Sequence, residues 1–462
     1  MKILRYLNFN IFETPDMKQY FLSHLHKPIA WLMILSAMAC SSPDYYITNK
    51  KSYEATMHGN YTDALAALDK NKYLTSKHSR VLYLIEKARL QMLSGQYDAA
   101  FTNLETAHRE LDGWDLLKER DIMGSIRVTR STQTAFTTFT SSVTYKPLKE
   151  FFKSPQKLPY RPGAHERMLI HYYKAMCKLH LEQYDDALVE ARQLDELSHS
   201  YDDLGYVEPA CKNYTSDAWP QLFSGLIYEL ANEPNSALIA YHNAWNKLCE
   251  PEVPSLFGVQ APLQLRKDLL RLSYRLQFDD KLASYEKQFN TAFVRDTSLA
   301  TCIVIIDNGF TPVKKNDHAS YYVRGGTIMR GRDKSVNSRY LSKPEYIWPA
   351  IKPDMIESVS NQTPEMLYNP AHIALKTLNK RYNAEADYYL SKYMKGDSVE
   401  SRSKENLVCD TRNWQFIPAR IQYLKIPSDT GLQHFYIRRQ SGITDTLTMR
   451  IKRGNNLIHI NR

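Results

Sequence analysis

Two stretches 36 residues apart limit what this chain can become: His58-Gly59-Asn60-Tyr61-Thr62-Asp63-Ala64 and Ser94-Gly95-Gln96-Tyr97-Asp98-Ala99-Ala100. Each sets a glycine, a polar residue and a tyrosine at the point where one helix would stop, and an alanine where the next would pack. Glycine takes the left-handed backbone that ends a helix without steric cost. Ala88 precedes Gly95 by about two turns, and Ala100, Leu104 and Ala107 follow at helical spacing. Tyr160–Leu194 repeats the pattern after the stop signal Arg161-Pro162-Gly163, with Ala175, Tyr184, Ala187 and Ala191 in place and Glu182 where glycine stood. A fourth copy carries Gly225, Tyr228, Ala237, Tyr241 and Ala244 around a turn at Asn232-Glu233-Pro234-Asn235, and a fifth runs from Leu265 to Phe289 with its turn near Gln277-Phe278-Asp279-Asp280. Each pair leaves an apolar stripe that only a neighbouring pair can bury, so the copies must stack.

The period is close to the roughly 34 residues of a tetratricopeptide repeat, and the turn and small-residue positions resemble that motif. The expected fold is mainly α, a tetratricopeptide-like helical solenoid followed by a small α+β C-terminal domain. The divisions are 1–39 as a signal peptide, 40–295 as the helical array with an insertion near 109–162, and 296–462 as the α+β module. Residues 200–218 and Pro251–Pro262 read as further loops. Tyrosine is frequent, 32 of 462 residues, which suits helix seams where the ring is buried and the hydroxyl reaches solvent.

After residue 295 the texture changes. Cys302–Ile306 is a short continuous apolar run rich in β-branched residues, read as a buried strand closed by Asp307-Asn308-Gly309. Ala419–Ile426 and Leu432–Arg438 read as strands, Asp445–Lys452 and Asn456–Ile460 as a final hairpin across Arg453-Gly454-Asn455, and Thr363–Met394 as helical. The sheet is expected to join strands from both ends of the segment.

At the other end, Lys18 and Lys27 precede a short apolar run from Ile29, too short to span a bilayer and of secretory-signal length. Ala37-Met38-Ala39-Cys40 resembles a bacterial lipobox, which makes Cys40 the expected lipidated residue; either Met1 or Met17 could start the chain. With Ser41 next and Asp44 the lone acid before Lys50 and Lys51, the expected address is the periplasmic face of the outer membrane. Multiple acyl chains would anchor the protein firmly. The remaining cysteines are odd in number and lack a CxxC, so buried free thiols are expected and a metal site is not.

The formal charge of +10 is confined to residues 301–462, where 25 Lys and Arg face 15 Asp and Glu. Within it, Lys314, Lys315, Arg324, Arg330, Arg332, Lys334 and Arg339 are candidate contacts to an anionic surface, on a tract read as a mobile loop because of Gly325, Gly326 and Gly331. A solvated basic face is the alternative. The tract lacks the Gly-Lys-Ser/Thr of a phosphate loop, and the export signal argues against nucleic acid.

No catalytic set emerges. His165, Glu166 and His171 are spaced wrongly for a zinc helix, whose histidines stand four apart; helix-start packing and dipole compensation by Glu166 are the expected roles. There is no Gly-x-Ser-x-Gly elbow, and Asp410-Thr411-Arg412-x-Trp414 reads as a structural corner.

Arg161, Pro162, His165, Glu166 and Arg167, the Glu190 and Arg192 of Ala187–Arg192, Asn308-Gly309-Phe310-Thr311-Pro312, and Asp410, Arg412, Trp414 and Pro418 together resemble an uncharacterised family of tetratricopeptide-containing bacterial lipoproteins. The resemblance implies a lipid-anchored array with a C-terminal module; in it Glu190 and Arg192 would tie helices and Arg161 would close the approach loop. The functional expectation is a non-enzymatic outer-membrane lipoprotein scaffold binding a protein partner in envelope assembly or regulation, without cofactor. The alternatives are an anionic glycan- or lipid-binding module, and a cell-wall enzyme that would bring His165, Glu166 and Asp410 together.

Overall fold

The computed structural model describes residues 44–112, 159–204, 216–324, 327–330, 339–348, 354–376 and 410–461, with side chains at 201–204 and 316–345 outside the description. Tyr45–Arg462 is one compact unit. Its helices are α1 Tyr45–Thr48, α2 Lys50–Met57, α3 Tyr61–Asp69, α4 Arg80–Leu93, α5 at 97–112, α6 Ala164–His180, α7 Tyr184–Leu204, α8 Trp219–Leu230, α9 Pro234–Leu248, α10 Val253–Phe257, α11 Leu263–Arg275, α12 Asp279–Phe289 and α13 at 370–376.

Five antiparallel hairpins, α2–α3, α4–α5, α6–α7, α8–α9 and α11–α12, share one turn. Its left-handed residue is Gly59, Gly95, Glu182, Asn232 or Gln277, with φ of 76°, 77°, 56°, 59° and 59°. The next residue donates its N–H back over the helix end: Asn60 to Ala55 O (2.9 Å), Gln96 to Gln91 O (2.8 Å), Gln183 to Lys178 O (2.9 Å), Glu233 to Tyr228 O (2.7 Å) and Phe278 to Ser273 O (3.0 Å). This is the Schellman closure that satisfies the last carbonyls. The same residue's carbonyl then opens the second helix by accepting from Ala64, Ala100, Ala187, Ala237 or Leu282. The four alanines are fully buried. In the fourth hairpin the approach is closer still, since a Cβ on Gly225 would lie 2.2 Å from the Tyr241 ring. The helical part is thus a tetratricopeptide-like array, and the Pro251–Pro262 loop contains the helical turn α10.

The strands are β1 Ala300–Asn308, β2 Val313–Arg324, β3 Thr327–Arg330, β4 Arg339–Ile347, β5 Ile356–Val359, β6 Glu365–Tyr368, β7 Arg420–Ser428, β8 Gly431–Arg439, β9 Thr444–Ile451 and β10 Gly454–Asn461. They form sheets ordered β10-β1-β7-β6, β3-β2-β4 and β5-β8-β9. In the first, β1 runs parallel to β10 and antiparallel to β7. The expected hairpin between 445–452 and 456–460 does not form: β9 pairs with β8, and β10 crosses to β1. Of Thr363–Met394, residues 365–368 are strand, only 370–376 are helical among the described residues, and 377–394 lie outside them. The basic tract is also corrected, because Lys314–Arg324, 327–330 and Arg339 lie in paired strands rather than a loop.

β1 explains the continuous apolar run. Ile303 and Ile305 pack into the helical core, while Cys302, Val304 and Ile306 pack on the other face against Phe435, Ile437 and Ile451. A strand buried on both faces has no polar side to alternate with. The fold is layered: helices, then the four-stranded sheet, then β5-β8-β9.

Candidate functional site

The face of the four-stranded sheet that meets the helices is not purely apolar. Each of its three longest strands places one acidic or basic side chain there: Asp307 on β1, Lys425 on β7, His459 on β10. Asp307 Oδ2 lies 3.0 Å from Arg89 of α4, and its Oδ1 accepts the Tyr172 hydroxyl of α6 at 2.8 Å. Arg89 lies over the Tyr173 ring, 4.6 Å from its centre. Burial would raise the Asp307 carboxyl, but Arg89 and His459 hold it below its usual range. His459 Nε2 is 3.4 Å from Asp307 Oδ2, and the facing nitrogens of His459 and His180 are 2.8 Å apart. Tyr97 stacks flat on the His180 ring at 4.0 Å. Burial and His459 push His180 down to about 3.

Lys425 sits among acids. It contacts Glu229 of α8 and lies 2.9 Å from Asp268 of α11, while Arg271 spans the same pair at 2.6 and 3.0 Å. Two acids and two bases cancel in charge. Tyr241 donates to Glu229 at 2.9 Å. Burial works against the Glu229 charge, but Lys425 and Arg271 hold its carboxyl well below the ordinary value.

A third polar centre grips an irregular segment, 410–418. Glu166 Oε1 accepts the Trp414 N–H at 2.8 Å; its Oε2 accepts the Tyr160 hydroxyl at 2.6 Å and the Gly163 N–H at 2.9 Å. Glu86 accepts the N–H groups of Gln415 (2.8 Å) and Phe416 (3.3 Å) and the Tyr45 hydroxyl (3.1 Å). Arg89 Nε donates to Phe416 O at 3.0 Å, Asn49 to Gln415 Oε1 at 2.9 Å, and Thr311 N–H to Ile417 O at 3.0 Å. Arg412 is buried between Asp410 (2.8 Å) and the His78 carbonyl (3.1 Å). Buried backbone groups need partners, and the helices supply them as they would to a bound peptide. The first helix of each of the later four hairpins faces the strands or this segment, so the array's inner face is occupied by its own chain.

A fourth cluster joins three helices: Lys174 lies 2.8 Å from Glu105 and 2.9 Å from Glu190, and Glu190 is 3.0 Å from His171. His108 packs edge-on to His171, and burial lowers its pKa. Among the described residues no group of three or more His, Cys, Asp or Glu side chains could hold a metal ion.

Of the residues singled out from sequence, Glu166, Arg412 and Trp414 meet in the peptide grip, with His165 buried beside them and Asp410 bound to Arg412. Glu166 takes three hydrogen bonds, from the Trp414 and Gly163 N–H groups and the Tyr160 hydroxyl, while Asp410 is turned to Arg412. Glu190 does tie helices, and Arg192 is exposed and lies near Tyr228 of the next hairpin. Pro162 is buried, Arg167 half-buried and Arg161 exposed. Lys314 is half-buried, its Nζ donating to the Arg412 carbonyl at 3.1 Å and its N–H to Asn413 at 3.2 Å. Lys315 is exposed. The side chains of Arg324, Arg330 and Arg339, and residues Cys40, Arg332 and Lys334 altogether, lie outside the described set. Cys177 and Cys302 are buried free thiols, and Cys249 is an exposed one.

Sequence reading missed Glu86, Arg89, Asp307, Lys425 and His459. A signal existed for Lys425, a lone charge on a core-facing position of Arg420–Ser428. It also mistook the tyrosines: the hydroxyls of Tyr45, Tyr160, Tyr172 and Tyr241 end on buried carboxylates rather than in solvent.

No family model and no curated protein matches the sequence. Among the solved structures that align with part of it are two repeat proteins. One is the crystal structure of MamA, at 12% identity and a TM-score of 0.28, covering 51% of this chain and 91% of that one. The other is the Q17M variant of a Podosopora anserina kinesin-light-chain-type protein with nearly identical TPR-like repeats, at 13% and 0.30, covering 53% and 91%. Likenesses this distant say nothing about activity or partners.

Proposed function

We propose that this chain is a non-enzymatic scaffold, held at the outer membrane by lipid on Cys40, that binds a protein partner in cell-envelope assembly or regulation. The observation that carries the scaffold reading is the occupied inner face. The polar groups that a repeat array would turn toward a guest peptide, Glu86, Glu166 and Arg89, are spent on residues 414–416 of the same chain. A partner therefore meets the outer helices and the C-terminal module. Val189 and Ile239 occupy the same position in successive hairpins, two residues after the buried alanine, and both are exposed apolar side chains. A photo-crosslinker placed at either in living cells should trap one discrete envelope protein, and Val189→Asp with Ile239→Asp should abolish the adduct. Absence of any adduct sinks the scaffold reading. Cys40→Ser should release the chain from the membrane fraction; retention there would remove the anchor.

A second reading, an anionic glycan or lipid contact, draws on the outer face of β8 and β9, where Tyr436 and Leu432 are exposed beside Arg438 and Arg450. It predicts salt-sensitive binding to vesicles or glycan of negative charge that is lost in Arg438→Ala with Arg450→Ala.

A further inference from the structure

The β8–β9 hairpin closes through a three-residue loop. Arg439 N–H donates to the Ile443 carbonyl at 2.9 Å, Gly442 N–H donates to the Arg439 carbonyl at 2.9 Å, and Gly442 sits at φ 85°. That makes 439 and 443 a hydrogen-bonded pair. In an antiparallel ladder such pairs alternate with unbonded ones, so residues 444, 446, 448 and 450 turn their N–H and C=O groups away from β8. Tyr436, the register partner of Thr446, shows the same phase from the other side, since its carbonyl accepts from Ser360 beyond β8.

β9 is the outer strand of its sheet, and among the described residues nothing pairs with its free edge. The strand has no proline and no break in register, the usual devices that blunt an edge. Its one core-facing charge, Asp445, is held by Arg439 at 2.8 Å. Its core-facing Leu447 and Met449 stay half-exposed, whereas Phe435 and Ile437 on β8 are buried. The inner core is open along this edge.

We propose that the free edge of β9 docks on β9 of a second copy of the chain, antiparallel about a dyad at Leu447, making one continuous sheet. Of the registers the phase allows, this one pairs the whole of 444–450. Thr446 then faces Thr448 of the second copy through hydrogen-bonded positions, Thr444 faces Arg450, and Asp445 faces Met449. The two Leu447 side chains meet over the open core. No like charges oppose, and threonine and aliphatic pairs are favourable cross-strand neighbours. A strand from another protein could satisfy the backbone equally well, but it lacks this self-matched order.

Sedimentation of the full-length chain over a micromolar concentration series should show a monomer–dimer equilibrium. Thr446→Pro removes an outward N–H that β8 does not use, a position where an edge strand tolerates proline. It should weaken the dimer about tenfold or more, since the dyad loses two hydrogen bonds, with unchanged thermal melting. Should that variant melt early, cross-linking decides. An unbonded pair brings Cα atoms to about 4.5 Å, within disulfide reach. In a Cys249→Ser background, Leu447→Cys should therefore link two copies on mild oxidation, and Met449→Cys should not. A chain that stays monomeric, equal cross-linking at 447 and 449, or a monomer that captures a different protein along β9 overturns the proposal.

Discussion

Glu86 on α4 accepts the main-chain N–H of Gln415, 329 positions away, at 2.8 Å. The same carboxylate takes the next N–H, from Phe416, and so fixes two consecutive peptide groups inside the helical array. Replacing it by alanine would strand both donors in the core. Each buried unpaired group costs about 1–3 kcal/mol, so Glu86→Ala should lose roughly 2–5 kcal/mol in urea denaturation. A loss no greater than that of an exposed Glu→Ala would contradict the peptide grip.

The same residue gives stability a pH signature. Burial pushes Glu86 up to about 8 from 4.5, and Asp217 up to about 7 from 3.8. Between those values the folded chain holds protons that the unfolded chain has released, so stability falls as pH rises through the window. His180 acts oppositely on the acid side. With its pKa near 3 against 6.5, the unfolded chain takes the proton first, and stability falls as pH drops from 6.5 toward 3. Melting temperature measured from pH 5 to 8 should decline less in Glu86→Gln than in the wild type. Identical slopes would count against the assignment.

Lys425 answers two acids that have no water to fall back on. Lys425→Met should cost about 3–5 kcal/mol, the usual penalty for breaking a buried pair from one side. Adding Glu229→Gln and Asp268→Asn should recover part of that loss, although Arg271 then lacks its carboxylates. Additive losses across the series would show that the four charges do not act as a unit.

Two glycines should separate by mechanism. Gly95→Ala meets open space and suffers only the left-handed backbone, a cost of about 1 kcal/mol. Gly225→Ala drives a methyl into the Tyr241 ring and displaces its hydroxyl from Glu229, so roughly 3 kcal/mol or more is expected from overpacking and a disturbed buried bond. Thermal denaturation of the two variants under one condition ranks them; the reverse order would refute the close-approach argument.

The five turns were legible because their determinants are local. In four of them a left-handed cap, a polar residue and a buried alanine lie within six positions, with Phe278 and Leu282 taking the last two places in the fifth, and Glu182, Asn232 and Gln277 can stand in for glycine because the closing hydrogen bond holds them there. The two-faced burial of β1 was legible in its unbroken apolar run. What Asp307, Lys425 and His459 face was not, because each partner lies on a helix far off in sequence, set by topology. The misplaced final hairpin has the same origin: Gly454 makes a turn whichever sheet receives the next strand. The basic tract misled because the pairing of Val313–Arg324 with Arg339–Ile347 is set between segments and leaves no local mark in a charged sequence.

The position of β1 between β7 and β10 has a temporal side. Helical hairpins can form as each emerges from the ribosome, since their contacts are near neighbours. Their inner faces stay uncovered until residues 410–428 arrive, and β1 keeps an open edge until 454–461 follow. Before those segments are made the chain is an array of locally formed hairpins without a lid, and it is the strand at 454–461 that closes the edge of β1.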